Sequence, residues 1–416
     1  MSEFTEYIEK IAKRAREVSY EVASMNTIEK NKALSIVAKN ISQNADFIKT
    51  ENLKDIDYAR SIGKSEAIID RLVLNDKRIN GMVTALEDII ALPDPVGGGD
   101  YIVKRPNGLQ LNKIRVPIGV VAIIYESRPN VTSDASGLTL KSGNTVILRG
   151  GKEAVHSNVA ITELIRDALK EAGFPEDAVQ ILDRTEREIV SEMLKLDKYI
   201  DVVIPRGGEG LIRAVSEQSS IPVIKHDKGV CHVFVDESAD KTFAETITVN
   251  AKVQRPSVCN AIETLLIHKN YPYKKELLEA LIKENVEIRA DKVLRDIIPD
   301  LKPATDEDWT TEYLDYIISA KVVDNVDEAI NHINTYGSHH SDAIVSENYH
   351  NTRRFLDRVD SAAVYANAST RFTDGGEFGL GAEIGISTQK LHVRGPMGLD
   401  KLTTEKWVIY GDGHIR

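Results

Sequence analysis

Cys259 is the residue whose surroundings best suit a chemical role. It lies in Val253-Gln-Arg-Pro-Ser-Val-Cys-Asn-Ala261, where a proline interrupts a helical pattern and Arg255 stands four positions before the thiol. Cations near a thiol lower its pKa, and the resulting thiolate is the nucleophile. Cys231, in contrast, lies in the apolar run Val230–Val235, which predicts a buried and inert residue. The pattern makes Cys259 a candidate nucleophile, with a purely structural cysteine as the alternative.

A glycine-rich turn is the second candidate site. In Ile204-Pro-Arg-Gly-Gly-Glu-Gly-Leu-Ile-Arg213 a β run ends and a helical pattern begins. Free backbone N–H groups at such a turn can bind a phosphate, and the residues concerned would be Arg206, Gly207 and Gly208. The G-x-G-x-x-G fingerprint common in dinucleotide sites is missing, so an ordinary strand–helix turn remains the alternative.

Histidines are the residues that could hold a metal. Four of the ten fall close together, in what reads as a polar loop after a helix: His332, His339, His340 and His350. Neither an H-E-x-x-H pattern nor a paired Cys/His spacing accompanies them, so we predict no metal site.

The charge balance and the cysteine content exclude several classes of protein. Lysine and arginine number 53 against 64 acidic residues, and the net charge of −11 disfavours nucleic acid. The longest uncharged apolar run, Val116–Tyr125, has about ten residues, whereas a membrane helix needs about twenty. Two cysteines cannot build a disulfide framework, and the first residues lack the pattern of a secretory signal. We therefore expect a cytoplasmic protein that binds neither nucleic acid nor a membrane.

The first ninety residues predict helices, and the rest predicts strands alternating with helices. Two helical faces are formed by Tyr7, Ile11, Ala15, Val18 and Val22 and by Ile79, Met82, Val83, Leu86 and Ile89. Pro106-Asn107-Gly108 predicts the turn of a hairpin. The strand candidates are Val116–Tyr125, Thr145–Leu148, Val179–Leu182, Asp201–Ile204, Val223–Lys225, Cys231–Val235, Thr264–Ile267, Tyr316–Val323, Ala343–Val345 and Ala362–Tyr365. Such alternation predicts parallel sheets in two α/β halves, with a seam in the chain near 225–230.

Longer segments resemble the aldehyde dehydrogenase superfamily and, within it, the γ-glutamyl phosphate reductases. Residues 116–131 resemble the strand and loop that open the superfamily's cofactor site, and 140–152 resemble its second strand and ribose-binding loop. Residues 252–261 are similar to the nucleophile segment of the reductases. The similarity continues through 311–315, 336–342, 371–379 and 395–399, so it extends in order over 116–410.

This resemblance implies an α/β fold of the aldehyde dehydrogenase type, with two Rossmann-like, three-layer α/β/α domains and a β-flap for oligomerisation. The dinucleotide-binding domain would comprise 1–100 and 117–226, and the catalytic domain 227–395. The oligomerisation hairpin and tail would be 101–116 and 396–416. Because an unpaired apolar strand edge is a liability, we expect a homodimer or a larger oligomer in which hairpin or tail pairs with a neighbouring subunit.

The resemblance also implies a reaction, the NADPH-dependent reduction of L-glutamyl 5-phosphate to L-glutamate 5-semialdehyde and phosphate in proline biosynthesis. Cys259 is implied as the nucleophile that forms a thioester. Asn130 is implied as the side chain that stabilises the oxyanion, and Glu312 as a cofactor-binding residue. Whether a glutamate kinase acts as a transient partner is left open.

One departure from the superfamily bears on the direction of the reaction. Relatives that oxidise aldehydes carry a glutamate base where this chain reads Val223-Ile-Lys-His-Asp-Lys-Gly229. A base activates the water that hydrolyses a thioester, whereas a reductase needs its thioester to survive until hydride arrives. The missing glutamate favours reduction, and His226 or Asp227 remains open as a substitute base.

The loop after the second strand bears on the choice of cofactor. It reads Arg149-Gly-Gly-Lys152, followed by Glu153. Two cations suit the 2′-phosphate of NADP(H), whereas an acidic residue suits the ribose hydroxyls of NAD. We predict NADP(H) with Arg149 and Lys152 as contacts, and Glu153 keeps NAD as the alternative.

Arginines are the expected ligands of the substrate's carboxylate and phosphate, because their planar fork binds both groups bidentately. Arg128, Arg255 and Arg394 are the candidates, being nearest in sequence to Asn130, to Cys259 and to the C-terminal glycines. Two other functions remain open: an NAD(P)-dependent dehydrogenase of another small aldehyde, and a non-catalytic nucleotide-binding relative.

Overall fold

The computed structural model describes residues 3–99, 101–225 and 228–416, and of Ala67 only the backbone. The chain forms two compact units. The first comprises Met1–Lys225, Gly379–Gly385 and Met397–Arg416, and the second His226–Phe378 and Ile386–Pro396.

The helices and strands alternate along most of the chain. The α-helices are α1 Glu3–Ser24, α2 Thr27–Gln43, α3 Ala45–Ser61, α4 Glu66–Leu72, α5 Asp76–Ala91, α6 Val131–Lys141, α7 Val155–Ala172, α8 Arg187–Met193, α9 Glu209–Gln218, α10 Lys241–Val253, α11 Lys274–Lys283, α12 Lys292–Ile297, α13 Val326–Tyr336 and α14 Tyr349–Arg358. The strands are β1 Tyr101–Lys104, β2 Gln110–Pro117, β3 Val120–Tyr125, β4 Thr145–Arg149, β5 Val179–Ile181, β6 Val202–Arg206, β7 Cys231–Val235, β8 Ile262–His268, β9 Glu287–Ala290, β10 Lys302–Pro303, β11 Ile317–Val323, β12 Ser341–Val345, β13 Ala363–Ala366, β14 Ile386–Ser387, β15 Gly395–Pro396 and β16 Thr403–Tyr410. Short 3-10 helices cover Lys152–Ala154, Glu176–Ala178, Asp308–Thr310, Thr370–Phe372 and Leu399–Leu402.

The first unit is built on a parallel four-stranded sheet in the order β5-β4-β3-β6. Every residue of β3 is buried, as expected for a central strand covered on both faces. Val120, Ala122 and Ile124 point to one face and pack with Ile8 and Ala12 of α1. Helices α6 and α7 contact strands of the same sheet.

The second unit contains a parallel seven-stranded sheet in the order β10-β9-β11-β8-β7-β12-β13. Alternate residues of one strand serve its two faces: Val233 packs with α10 and α11, and Phe234 packs with α13 and α14. The predicted three-layer α/β/α architecture is thereby confirmed.

A three-stranded antiparallel sheet, β1-β2-β16, joins the predicted hairpin to the predicted tail strand. The hairpin turn closes through Arg105, whose N–H donates to Leu109 O at 2.8 Å and whose carbonyl accepts from Gly108 N. The tail pairs with β2 of its own chain along the whole of β16.

Several sequence-based element boundaries were wrong. The run Val116–Tyr125 is two strands, because Gly119 turns the chain with φ +130° between β2 and β3. Val223–Lys225 is not a strand, although Val223 makes a single bridge to Val203. Strands β9 and β10 were missed, since they are short and partly exposed. Within the described residues no helix is both long and apolar enough to cross a membrane.

The predicted domain ranges differ from the compact units, because the hairpin 101–116 and the tail from Met397 onward group with the first unit instead of forming a separate part. The sequence assigned 227–395 to one domain, whereas Gly379–Gly385 groups with the first unit. The reason is a local pairing in which Ile384 N donates to Met397 O and Met397 N donates to Gly385 O. The roles assigned to the domains stay predictions.

Candidate active site

Cys259 lies in an irregular turn of the second unit between α10 and β8. Helix α10 ends at Val253, because the following Pro256 cannot continue a helix. Strand β8 then begins at Ile262, deep in the sheet. Cys259 is half-buried, forms no disulfide and lies three residues before this buried strand.

Gly229 lies directly beneath this turn. A Cβ added to it would come within 2.6 Å of Cys259 Cα and would overlap the Cys259 carbonyl. Only glycine lets the two backbones approach so closely. Gly229 N also donates to Glu312 Oε1 at 2.8 Å, so the predicted cofactor residue and the predicted nucleophile are both in contact with this glycine.

Cys231 supports the same turn from the core. Its thiol is fully buried and donates to the carbonyl of Cys259 at 3.2 Å. Burial, with the charge of Asp342 as a smaller cause, raises the pKa of Cys231 well above its ordinary value. The predicted burial is confirmed, and a thiol held neutral in this way is a poor nucleophile.

The residue after Cys259, Asn260, is fixed by the segment Thr370–Thr373. Its Nδ2 donates to Thr373 O at 2.8 Å, and its carbonyl accepts from Thr370 Oγ1 at 2.7 Å. Nη1 of Arg371 donates to Asn260 Oδ1, and Nε donates to Gln254 Oε1 at 2.8 Å. Arg371 thus spans the segment that carries Cys259.

A buried ion pair lies behind the same segment. Lys252 Nζ is 2.6 Å from Glu263 Oε2, and both side chains are fully buried. Glu263 Oε1 also accepts from the backbone N–H of Leu314 at 3.2 Å. Burial raises the pKa of Glu263 to about 7, and Lys252 opposes that shift. The pair anchors the segment that contains Glu312, two residues before Leu314.

Asn130 lies in the first unit, at the start of α6. Its Nδ2 donates to Asp134 Oδ2 at 3.0 Å, one helical turn further on. Burial raises the pKa of Asp134 to about 6, while its hydrogen bonds and the charge of Arg206 oppose the shift. The amide of Asn130 is therefore oriented by a carboxylate, a partner whose i, i+4 spacing the sequence analysis overlooked.

The glycine-rich turn after β6 has the predicted strand–turn–helix form, with Gly208 as the N-cap of α9. The sequence predicted free backbone N–H groups at this turn, but at least one of them, that of Gly208, already donates a hydrogen bond. Gly208 N donates to Glu126 Oε2 at 3.0 Å, and a Cβ on Gly207 would come within 2.7 Å of the same carboxylate oxygen. An acidic side chain favours a helix N-terminus for the same reason a phosphate does. A cofactor phosphate at this turn would have to displace Glu126.

The loop after β4 carries the residues predicted to select the cofactor. Arg149 is half-buried and donates to Gly150 O at 2.6 Å and to Thr185 O at 3.1 Å, while Lys152 is exposed. Glu153 is only 7% exposed and accepts a hydrogen bond from Ser127 Oγ. The accessible charge at this loop is therefore positive.

The three arginines predicted to bind substrate have different surroundings. Arg128 is half-buried in the loop before α6, and Arg255 is exposed in the segment of Cys259. Arg394 is committed to an ion pair, with Nη2 2.7 Å from Asp360 Oδ1. Lys390 and then Arg394 lower the pKa of Asp360 to about 2.

The remaining candidates lie elsewhere or outside the described residues. His226 and Asp227, the possible substitute bases, are outside them. His332 is not in a polar loop, as the sequence suggested, but inside α13 and buried. Over residues 3–99, 101–225 and 228–416, no group of three His, Cys, Asp or Glu side chains could hold a metal ion.

In the second unit the structure brings together Cys259, Arg255 and Glu312. Arg394 is not part of this group, because it is paired with Asp360. Sequence reasoning missed Gly229, Arg371 and the Lys252–Glu263 pair. A glycine next to a seam carries no distinctive local signal, and Arg371 is far from Cys259 in the sequence. The buried pair could have been suspected from charged residues at otherwise apolar positions of α10 and β8.

Comparison with known proteins places the chain in a family. The model of the aldehyde dehydrogenase family matches residues 3–322. A γ-glutamyl phosphate reductase from Aquifex aeolicus is 56% identical over 420 residues, covering 99% of this chain and 97% of that protein. One from Clostridium botulinum (strain Eklund 17B / Type B) is 54% identical over 405 residues, covering 97% and 98%. The crystal structure of the Thermotoga maritima γ-glutamyl phosphate reductase superposes with a TM-score of 0.97 at 50% identity, covering 98% of this chain and 99% of that one. The chain therefore belongs to the aldehyde dehydrogenase family and, within it, to the γ-glutamyl phosphate reductases.

Proposed function

We propose that this oxidoreductase reduces L-glutamyl 5-phosphate to L-glutamate 5-semialdehyde and phosphate, the second step of proline biosynthesis from glutamate. The observation that carries the proposal is the setting of Cys259. The backbone of its turn packs against Gly229, and the neighbouring Asn260 is hydrogen-bonded to Thr370 and Thr373. These contacts fix the position of Cys259. Relatives that cover nearly the whole chain at above 50% identity bear the name of this activity.

Cys259 begins the reaction as a nucleophile. Its thiolate attacks the carbonyl carbon of the acyl phosphate; a C–S bond forms, the C–O bond to phosphate breaks, and phosphate leaves with the electron pair. After reduction of the thioester, the hemithioacetal on Cys259 collapses by breaking the C–S bond. The products are the semialdehyde and a regenerated thiolate.

Asn130 is assigned the stabilisation of the oxyanion that develops at the carbonyl oxygen. An amide N–H can do this only if it is held in place before the reaction. The hydrogen bond from Asn130 Nδ2 to Asp134 uses one amide proton and leaves the second for the oxyanion.

The thioester must resist hydrolysis until it is reduced. The segment Val223–Gly229 contains no glutamate that could activate water. Oxidation of another small aldehyde would need such a base, supplied by His226 or Asp227. We therefore favour reduction and keep aldehyde oxidation as the second candidate.

The family uses nicotinamide cofactors, and we propose NADPH for this chain. Once bound, NADPH supplies the hydride that reduces the thioester. The residues of the β4 loop suit its 2′-phosphate, because Lys152 is exposed, Arg149 belongs to the same loop, and the carboxylate of Glu153 is buried against Ser127. Arg206, Gly207, Gly208 and Glu312 remain the other proposed cofactor contacts.

The proposal extends to partners and location. An acyl phosphate must be made by a kinase acting on glutamate, so we propose glutamate kinase as the source and as a transient partner. A free thiol nucleophile is best preserved in the reducing cytoplasm, where we place the enzyme. We also propose a homodimer or larger oligomer.

The reaction can be tested in reverse. Purified protein is incubated with glutamate semialdehyde and NADP⁺, with and without inorganic phosphate, and NADPH is followed by its absorbance. The proposal expects turnover only with phosphate, since phosphate must attack the thioester. Equal turnover without phosphate would show that water is the acceptor and that the chain oxidises aldehydes to acids.

A further inference from the structure

We propose that Arg371 and Arg255 together bind the phosphate group of the acyl-phosphate substrate beside Cys259. Arg255 was a candidate from the sequence, but Arg371 was not. This inference rests on the proposed function, because it names the groups that hold the part of the substrate that leaves.

Arg371 is built into the nucleophile segment. Its Nε donates a hydrogen bond to Gln254, which precedes Cys259 in the sequence, and its Nη1 donates one to Asn260, which follows it. Neither bond uses Nη2. The guanidinium is half-buried and therefore has little freedom to move away, and its plane is already set before an anion arrives.

The guanidinium of Arg371 has a second cation, Arg255, among its charged neighbours, which favours the binding of an anion. Burial and the nearby charge of Arg255 lower the pKa of Arg371, whereas Asp374, the thiolate of Cys259 and Glu377 oppose the shift. Arg255, which is exposed four residues before Cys259, is close enough to Arg371 for the two charges to repel each other. Asp374 and Glu377 act on Arg371 only through space, and Oδ1 of Asp374 accepts from the backbone of Gly376 and Glu377. A phosphate dianion would relieve this repulsion.

The chemistry of the first step needs positive charge at this place. As the thiolate forms the C–S bond, the breaking C–O bond transfers its electron pair to the phosphate. Guanidinium groups suit phosphate because they donate two parallel hydrogen bonds and stay protonated throughout. The same charges favour the thiolate form of Cys259.

A purely structural role for Arg371 can be separated from this one. Asn260 keeps three other anchors when Arg371 is shortened: Thr370 Oγ1, Thr373 O and the carbonyl of Arg371 itself. The Arg371→Gln variant should therefore keep the turn. Arg353→Gln is the matched control, because Arg353 is exposed on α14 and its partners Tyr349 and Asp357 both lie on the same helix.

The test measures phosphate and semialdehyde dependence separately in the reverse reaction. In Arg371→Gln and in Arg255→Gln, the KM for phosphate should rise roughly 10- to 100-fold, the loss expected for a charge-assisted hydrogen bond. The KM for NADP⁺ should stay unchanged. Arg371→Lys should recover part of the loss, and Arg353→Gln should equal the wild type. A phosphate KM within twofold of the wild type in a folded Arg371→Gln protein overturns the inference. If that variant does not fold, an unchanged phosphate KM in both Arg255→Gln and Arg371→Lys overturns it equally.

A second measurement separates this inference from the proposed function. Inorganic phosphate should slow alkylation of Cys259 by iodoacetamide in the wild type and in Arg353→Gln, but much less in Arg371→Gln. Such protection would support the phosphate site even if the wild type failed the semialdehyde assay, in which case only the proposed reaction would be wrong. If phosphate protects Cys259 from alkylation equally in all three proteins, the proposed phosphate site is wrong.

Discussion

Gly229 and Cys259 pack backbone against backbone, with no room for a side chain at position 229. The added Cβ would lie within 2.6 Å of Cys259 Cα. The position of Cys259, the proposed nucleophile, therefore depends on a residue that has no side chain and lies in another segment of the chain.

Gly229→Ala should reduce turnover roughly 100-fold or more, because a displaced reactive group loses its alignment with the substrate. Steady-state kinetics and iodoacetamide labelling of Cys259 would measure the effect. Gly81→Ala is the control: position 81 is inside α5 with no atom within 4 Å of an added Cβ. It should leave activity unchanged and raise stability by up to about 1 kcal/mol. Full activity in Gly229→Ala would show that the turn can shift without consequence.

The two cysteines should behave differently when changed to serine. Cys259→Ser should keep the fold and lose nearly all turnover, because an alcohol without a strong base is a poor nucleophile. Cys231→Ser should keep activity and lose some stability, since a hydroxyl replaces a thiol in a fully buried strand. Kinetics and thermal unfolding of both variants would check this. An active Cys259→Ser beside an inactive Cys231→Ser would reverse the assignment.

Replacing Arg149 and Lys152 together with alanine should weaken NADPH binding much more than NADH binding. One charge-assisted contact to the 2′-phosphate contributes roughly 1.5–3 kcal/mol. Fluorescence titration with both cofactors would give the ratio of dissociation constants. Because Arg149 also holds the carbonyls of Gly150 and Thr185, Lys152→Ala alone is the cleaner variant. An unchanged ratio in both variants would place the recognition of the phosphate elsewhere.

His332 should make the protein sensitive to acid. It is buried in α13 among the rings of His232, Trp309 and Tyr336, and burial lowers its pKa from 6.5 to about 3. Between pH 6.5 and about 3, His332 is therefore protonated in the unfolded chain but neutral in the folded one. Folding stability that is present above pH 6.5 is lost as the pH falls toward 3. Between pH 7.5 and pH 5 this amounts to about 2 kcal/mol. Urea unfolding at the two pH values should show a smaller loss in His332→Leu; an equal loss in both proteins would contradict the prediction.

The sheet β1-β2-β16 should mediate assembly. Its edge strands expose large apolar side chains, with Ile102 at 76%, Trp407 at 51% and Ile409 at 58%. Strand edges with such side chains associate unless they are covered. Deleting residues 405–416 should therefore give a monomeric or aggregating protein with impaired activity, as measured by sedimentation.

A milder variant removes the risk of misfolding in that experiment. Ile409→Lys places a charge on the exposed strand and should weaken the oligomer, whereas Leu391→Lys, at a position 87% exposed outside this sheet, should not. Sedimentation of the intact protein as a monomer at micromolar concentration would count decisively against assembly through this sheet.

The sequence by itself determined the class of fold, the helices before residue 90, most of the buried strands and the hairpin. These follow from local periodicity: alternation along β7 sends Val233 and Phe234 to opposite faces whatever their partners are. It also distinguished the two thiols, because a cysteine in an unbroken apolar run differs locally from one beside a proline and an arginine. The strands β9 and β10 were missed because they have only four and two residues, too few for a clear periodic pattern.

Only the tertiary structure decided what surrounds the candidate groups. Sequence spacing could not show that Gly229 lies against Cys259, that Arg371 is bonded to Asn260, or that Glu126 occupies the N-terminus of α9. Each of these contacts joins segments far apart in the chain. Gly229 and Cys259 meet because they lie just before β7 and β8, which are parallel neighbours, and Glu126 meets the start of α9 because β3 and β6 are parallel neighbours. Which strands are neighbours is a property of the whole fold.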